Sequence, residues 1–240
     1  MKNMKAFIFN SGRGSRLGNL TDKCPKALLP LNDEETILSR QLRLLSKYGV
    51  KDFIITTGYL EKVIREAVTP FVDKGLRIQL VYNSQYASSN AIVSMYLARQ
   101  LLCNDTFIVL HGDVVFDENW AIKAVEAEFE NFAAIDELGA LNKKDFKARL
   151  ENQCISEVNV NLFGENCVNL MPFYKISSNA MKIWLNQVNL FYKNGQTDIY
   201  AEIAANGVWE KMNVQGLSYA NNLLLEVDTP ADLKRVRDSI

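Results

Sequence analysis

An apolar run, Ala6-Phe7-Ile8-Phe9, leads directly into Asn10-Ser11-Gly12-Arg13-Gly14-Ser15-Arg16-Leu17, and no other stretch constrains the fold so tightly. Four apolar residues in a row read as a buried strand. A glycine-rich turn leaving such a strand can aim several backbone N–H groups at one point. Glycine is needed there because it tolerates φ > 0 and lets a phosphate approach the backbone. Arg13 and Arg16 inside the loop add positive charge, and so does Lys26 in the segment Pro25-Lys26-Ala27-Leu28-Leu29-Pro30 beyond it. These are the parts of a triphosphate or pyrophosphate cradle. As a dinucleotide fingerprint the loop fails, because Leu17 stands where the third glycine belongs.

Beyond the loop, helical and extended patterns alternate. Thr36 to Tyr48 reads as a helix stopped by Gly49, Phe53 to Thr57 as a strand, and Tyr59 to Val68 as a helix closed by Pro70. Arg77 to Tyr82 and Thr106 to Leu110 read as strands around a helix that Ser89 or Asn90 caps. Such alternation predicts right-handed crossovers: an α/β, Rossmann-like, mostly parallel sheet flanked by helices. The second half is mixed. Phe132–Ile135, Phe146–Leu150, Ile155–Val160 and Leu170–Lys175 all look extended. Ser177 to Lys193 reads as a helix, with Phe191 and Tyr192 at core spacing, and Leu223 to Val227 as a last strand. Thr229-Pro230-Ala231-Asp232 then carries an N-cap, a proline at N1 and an acid at N3. The expectation is one domain over residues 1–240 with a β-rich, acceptor-side insertion at about 131–175.

Composition excludes several classes. A formal net charge of −1 gives no global pull toward nucleic acid, so anion binding must be local. No apolar run approaches the ~18 residues that a membrane span needs. The stretch from Met1 to Lys5 lacks a secretory apolar region and a cleavage site. Cys24, Cys103, Cys154 and Cys167 show no C-x-x-C pairing, so reduced thiols in a cytoplasmic protein are expected and no zinc site.

In open parallel sheets, ligands bind beyond the carboxyl ends of the strands. Three polar constellations stand at such ends: the glycine loop, Asp113 in His111-Gly112-Asp113, and Asp228 after Leu223–Val227. Two isolated carboxylates beside a phosphate cradle are what a Mg²⁺ bridging phosphate oxygens requires. Asp228 also reads as a simple neighbour of the Thr229 cap, Asn90 as a cap, His111 as a shaper of its strand end, and Lys143-Lys144 as a solvated turn.

The loop resembles the L-A-A-G-x-G-x-R-L signature of nucleotidyltransferases, the group that includes the sugar-phosphate nucleotidylyltransferases. Pro25-Lys26-Ala27-Leu28-Leu29-Pro30 is similar to their P-K-P-L-L-P segment, and Gly112-Asp113 to their G-D metal position. The resemblance is strongest over residues 4–120. Within the group the chain is most similar to bacterial CTP:phosphocholine cytidylyltransferase-type enzymes. Asn90 with Met95-Tyr96-Leu97 looks like their N-x-x-x-x-M-Y-L helix, and Glu226-Val227-Asp228 like their E-I-D second metal site. Asn10 and Ser11 replace the two small alanines of the loop, and the E-K-P segment of sugar-phosphate members is absent. Lys147 and Arg149 are the candidates to substitute for its lysine, with no motif behind either.

The resemblance implies a Mg²⁺-dependent nucleotidyl transfer. An acceptor phosphate oxygen attacks the α-phosphorus of CTP and pyrophosphate leaves in line. The nucleophile is already ionised at neutral pH, so catalysis reduces to positioning and charge neutralisation. Gly12, Arg13, Gly14 and Ser15 are expected on the β- and γ-phosphates, Arg16 on the leaving pyrophosphate, and Lys26 on the α-phosphate or the incoming phosphate. Asp113 and Asp228 would hold the metal; Asn10, Ser11, Asn83 and Asn90 would contact base or ribose. Tyr200, Glu202 and Glu226 fall where the resemblance puts an acceptor pocket for a cationic head group. The Asn142-Lys143-Lys144-Asp145-Phe146 stretch brings no tryptophan to such a pocket. The acceptors implied are phosphocholine, phosphoethanolamine, an aminoalkylphosphonate or phosphoglutamine, activated for cell-surface glycan modification. Two other readings stay open: a sugar-1-phosphate nucleotidylyltransferase, and a non-catalytic nucleotide-binding regulatory module.

Overall fold

The apolar run before the glycine loop is strand β1 (Met4–Phe9), whose alternate residues enter two different cores: Ala6 and Ile8 one, Phe7 and Phe9 the other. A strand buried on both faces requires helices above and below it. The structure, a computed structural model, describes residues 4–141 and 143–240. Met1, Lys2, Asn3 and Asn142, which belong to the Met1–Lys5 and Asn142–Phe146 readings, lie outside the described residues.

From β1 the chain runs through α1 (Ile37–Lys47), β2 (Asp52–Thr57), α2 (Glu61–Asp73), β3 (Arg77–Tyr82), α3 (Ala91–Ala98) and β4 (Thr106–His111). The strands lie in the order β3-β2-β1-β4, each pair parallel, as the alternation predicts. Helix α1 begins at a reciprocal cap: the Thr36 hydroxyl accepts from the Ser39 N–H, and Ser39 Oγ accepts from the Thr36 N–H. Such a cap contributes about 1 kcal/mol. Helix α2 does not stop before Pro70, as the sequence reading expects, but continues to Asp73 with Pro70 inside. Pro70 and Glu66 both face solvent. Water can therefore satisfy the Glu66 carbonyl that the proline leaves without a donor, while Phe71 still packs against the core.

A short strand β5 (Val114–Phe116) and helix α4 (Glu118–Glu126) follow. Neither is among the elements read from the sequence. Asp117, which accepts from the Trp120 N–H at 2.8 Å, is the cap that signals α4, and Trp120, Ala121 and Ala124 are its buried face. The β-rich stretch supplies β6 (Phe132–Asp136), β7 (Lys147–Glu151), β8 (Cys154–Asn159) and β9 (Cys167–Ile176). Then come α5 (Ser178–Lys193), the single turns α6 (Ala201–Ala204) and α7 (Trp209–Met212), β10 (Gln215–Ser218), β11 (Leu224–Glu226) and α8 (Pro230–Arg237).

Among the described residues, nine strands form one sheet in the order β3-β2-β1-β4-β9-β6-β10-β8-β7. The sheet is mixed. Strand β9 runs antiparallel to β4 and β6, while β10 returns parallel to β6. The insertion thus extends the same sheet past β4. The Rossmann-like α/β architecture holds, with the parallel part concentrated in the first half. The Leu223–Val227 run differs from expectation: its strand β11 leaves the main sheet and pairs antiparallel with β5 in a two-stranded ribbon.

Helices α3 and α5 cover one face of the sheet with Ile92, Met95, Met181 and Trp184; α1, α2 and α4 cover the other with Leu38, Leu42, Ile64 and Trp120. A third, smaller core joins Leu17, Leu29, Val115, Val227 and Leu233. Each of these except Leu233 is an apolar residue one to three positions from Arg16, Lys26, Asp113 or Asp228. Burial of that cluster therefore gathers the four charged side chains on one side of the fold. Among the described residues, no helix is long and apolar enough to cross a membrane.

Candidate active site

The loop after β1 leaves its donors open. Among the described residues, the backbone N–H groups of residues 11–16 donate to no protein acceptor, and the first such bond in the loop runs from Leu17 N–H to the Gly14 carbonyl at 3.0 Å. Gly14 has φ +72, and a Cβ there would lie 3.0 Å from Lys26 Cβ and Cδ. A left-handed backbone and a close side chain both require glycine at this point. The Lys26 stem thus lies directly against the loop whose amides are free.

Lys26 Nζ donates to Asp113 Oδ2 at 2.6 Å and to Asp228 Oδ1 at 2.7 Å, and Arg16 meets the same Asp228 oxygen at 2.8 Å. Four residues drawn from three distant parts of the sequence therefore share one ion-pair network. Burial alone would lower the Lys26 ammonium, but the two carboxylates outweigh it and hold its pKa above the usual value. Burial likewise pushes Asp113 up, and the charges of Lys26 and His111 bring it below the usual carboxylate range.

The ribbon explains why the carboxylates meet. Glu226 sits opposite Val114, and the Val227 N–H donates to the Asp113 carbonyl at 3.0 Å. Gly112 closes the turn: its N–H donates to the Phe9 carbonyl at 2.8 Å, and a Cβ there would come within 2.9 Å of that oxygen and of Asn10 Oδ1. Gln41, buried on α1, donates to the carbonyls of His111 at 3.0 Å and Val114 at 2.8 Å. It clamps the turn that carries Asp113. Sequence reasoning passes over Gln41, although a glutamine between Leu38 and Leu42 on an apolar face is a legible signal.

His111, read from the sequence as a shaper of its strand end, turns to a buried carboxylate that the sequence does not reveal as its partner. Its Nε2 lies 3.0 Å from Glu202 Oε1, with Phe9 and Phe146 rings edge-on to the imidazole. Burial would lower its pKa, yet the Glu202 carboxylate, with Asp113 and Glu226 behind it, carries it up to about 9. An imidazolium therefore faces the acidic site. Glu202 lies beneath the surface rather than on the wall of an acceptor pocket. It is fully buried, and Tyr174 OH also lies 3.5 Å from its Oε1. A carboxylate so deep needs a cation beside it, and His111 supplies one.

Asn83 is likewise turned inward. It is 1% exposed, its amide nitrogen donates to Ser89 Oγ and Ser94 Oγ at 3.3 and 3.2 Å, and its oxygen accepts from the Gln85 N–H at 2.9 Å. All its hydrogen-bonding groups are used within the protein, so it does not face a base or ribose directly. Ser94 Oγ passes the brace on to Ser11 Oγ at 3.0 Å. Asn90 caps α3. Asn10 Nδ2 is buried with no hydrogen-bond partner among the described residues. Arg13 pairs with Asp22 at 3.1 Å across the Tyr59 ring, outside the Lys26 network. Lys147 is fully buried, with Nζ donating to the Asp145 carbonyl at 2.9 Å.

Asp113 Oδ1 is buried and has no hydrogen-bond partner among the described residues. Donor atoms of His111, Asp113 and Glu226 lie within 4.8 Å of one another. Burial, followed by Asp113, pushes Glu226 up to about 8. Glu226, expected in the acceptor pocket, thus borders Asp113, whereas Asp228 turns to Lys26 and Arg16. Asp113 Oδ1, unmet beside the Glu226 carboxyl, offers oxygen to a hard divalent cation. Beyond it opens a groove of about 580 Å³ that includes Arg16, Asp145, Tyr219, Glu226 and Asp232 in its lining. Tyr200 stands 38% exposed with its ring edge-on to Phe146 at 4.8 Å.

A family model described as nucleotidyl transferase matches residues 5–143. The choline-phosphate cytidylyltransferase of Streptococcus pneumoniae is 33% identical over 105 residues, 44% of this chain and 43% of that protein. The CMP-5'-(3-aminopropyl)phosphonate synthase of Streptomyces rubellomurinus is 33% identical over 138 residues, 58% of this chain and 20% of that protein. The alignments thus span less than half the length of these relatives. The fold is also that of the solved CTP:phosphocholine cytidylyltransferase from Streptococcus pneumoniae: TM-score 0.80 at 20% identity, over 100% of this chain and 99% of the other.

Proposed function

The chain belongs to the nucleotidyl transferase family, and on that premise we propose that it is a Mg²⁺-dependent, cytoplasmic cytidylyltransferase. It joins CTP to a small phosphorylated alcohol or amine and releases pyrophosphate. The observation that carries this reading is the convergence of Arg16, Lys26, Asp113 and Asp228, linked at 2.6–2.8 Å, beside a loop with open backbone donors. Relatives named for cytidylyl transfer to choline phosphate and for a CMP-linked aminopropylphosphonate favour CTP and an amine-bearing acceptor.

In this mechanism the N–H groups of residues 11–16 bind the β- and γ-phosphates, much as a nest of amides holds an anion. Lys26 turns to the α-phosphate, and Arg16 neutralises the departing pyrophosphate. An acceptor phosphate or phosphonate oxygen forms the new bond to the α-phosphorus as the bond to the pyrophosphate oxygen breaks. That oxygen is already ionised, so no proton needs a base. Asp113 and Asp228 would hold Mg²⁺, which when bound supplies charge neutralisation at the phosphate oxygens. The acidic groove beside Glu226 and Tyr219, with Tyr200 nearby, receives the cationic end of the acceptor; Glu202 acts there only through His111. The product is a CDP-activated or CMP-linked donor for cell-surface glycan modification. Four free cysteines are in keeping with a reducing compartment.

The test crosses the four NTPs with phosphocholine, phosphoethanolamine, aminoethylphosphonate, phosphoglutamine and glucose 1-phosphate, reading pyrophosphate release. Turnover with CTP and one amine- or amide-bearing acceptor is expected. Turnover with glucose 1-phosphate alone overturns the acceptor assignment, and nucleotide binding without turnover favours the regulatory-module reading.

A further inference from the structure

The Lys26 ammonium lies between the two carboxylates assigned to the metal, 2.6 Å from Asp113 Oδ2 and 2.7 Å from Asp228 Oδ1. Its side chain is only 13% exposed, and its stem is wedged against Gly14 in the phosphate loop. Resting on the metal assignment above, we infer that Lys26 is an internal competitor for the metal ion: it occupies the metal carboxylates until a nucleotide triphosphate offers it phosphate oxygens instead.

An ammonium within hydrogen-bond reach of both carboxylates and a divalent cation bound to the same oxygens repel one another at a few ångströms, and a half-buried site screens that repulsion poorly. One must leave for the other to bind well. Lys26 cannot leave cheaply on its own, because a cation shielded to this degree needs an anion beside it. The partner is built into the geometry. The open amides of residues 11–16 hold a triphosphate on the loop against which the Lys26 stem already packs. A small swing of Nζ then exchanges two carboxylates for phosphate oxygens and frees Asp113 Oδ2 and Asp228 Oδ1 for the metal. Asp113 Oδ1, buried and without a partner among the described residues, stands ready beside them. Metal and nucleotide thus bind with mutual assistance, and by linkage each tightens the other by the same factor. Arg16 shares Asp228 Oδ1, but its side chain is 60% exposed and water can replace its partner. It is the weaker competitor.

The test uses Mn²⁺ as the probe, titrated into purified protein and read by the electron paramagnetic resonance of the free ion. Wild type, Lys26→Met, Arg16→Met and Asp113→Asn are compared without nucleotide and with a non-hydrolysable α,β-methylene CTP, correcting for the Mn²⁺–nucleotide complex. Without nucleotide, Lys26→Met should bind Mn²⁺ at least tenfold tighter than wild type, and Arg16→Met less than threefold tighter. The CTP analogue should tighten Mn²⁺ at least tenfold in wild type and distinctly less in Lys26→Met. No gain in Lys26→Met, or an equal gain in Arg16→Met, overturns the exchange. Should Lys26→Met fail to fold, Lys26→Gln gives the same comparison, and absence of coupling in wild type overturns the exchange by itself. Wild-type Mn²⁺ affinity in Asp113→Asn with nucleotide would instead remove the metal assignment, a distinguishable failure.

Discussion

The backbone N–H of Val227 donates to the carbonyl of Asp113 at 3.0 Å, across a ribbon that joins residues more than a hundred positions apart. This one bond ties the two carboxylate-bearing segments together. The two carboxylates assigned above to a metal are therefore placed by backbone pairing, not by their own side-chain contacts. Their substitution should change chemistry more than fold.

Asp113→Asn and Asp228→Asn should each raise the Mg²⁺ concentration needed for half-maximal turnover, with Asp113→Asn the more severe because its second oxygen is buried and unmet. Magnesium titrations of pyrophosphate release, with thermal unfolding as the control, check this. An Asp228→Asn enzyme with wild-type metal dependence would take Asp228 out of the site.

Lys26→Ala should lower turnover by about a hundredfold or more, the scale seen when one preorganised charge-stabilising donor is removed. Its circular dichroism should remain that of the wild type. Unaltered turnover would contradict the role given to this lysine.

Gly14→Ala places a side chain on a backbone at φ +72 and drives its Cβ against the Lys26 stem. The left-handed conformation alone costs about 1–2 kcal/mol. Urea unfolding should show a loss of that order, and the KM for nucleotide should rise with it, because the open amides and Lys26 shift together.

Gln41→Met keeps the volume on α1 but removes both clamps on the Asp113 turn, at 3.0 and 2.8 Å. The buried Val114 carbonyl then loses a donor, which costs about 1–3 kcal/mol, and the part-buried His111 carbonyl loses one as well. The expected signature is lower stability together with a higher Mg²⁺ concentration for half-maximal turnover, from a residue that touches no substrate. Wild-type metal dependence in Gln41→Met would show that the turn holds without the clamp.

The local features that place the site were legible in the sequence. The strand before the loop, the Thr229–Asp232 cap of α8 and the Gly49 stop after α1 depend on short-range chemistry, and they form as read. Asn83 and Glu202 were legible only as polar residues near strand ends and helices. Whether such a side chain faces a ligand or a buried partner depends on His111 and Ser94, which tertiary packing brings to them. Strand β11 looked like a sheet strand because its apolar run is the same in either pairing. Its departure to β5 is decided by the third core around Val115 and Val227. Helix α2 overran Pro70 because solvent, invisible in the sequence, relieves the freed carbonyl.

The central claim is that this site transfers a cytidylyl group to a phosphorylated acceptor. Phosphorus-31 NMR of the protein with CTP, Mg²⁺ and phosphocholine, then with each other acceptor in turn, tests it most directly. The account predicts one equivalent of pyrophosphate per new acceptor–O–P linkage to the α-phosphorus, with amine- or amide-bearing acceptors only, both forming about a hundredfold or more slower with Lys26→Ala. Unchanged CTP resonances with every acceptor in the wild-type protein, while CTP still binds, would contradict it.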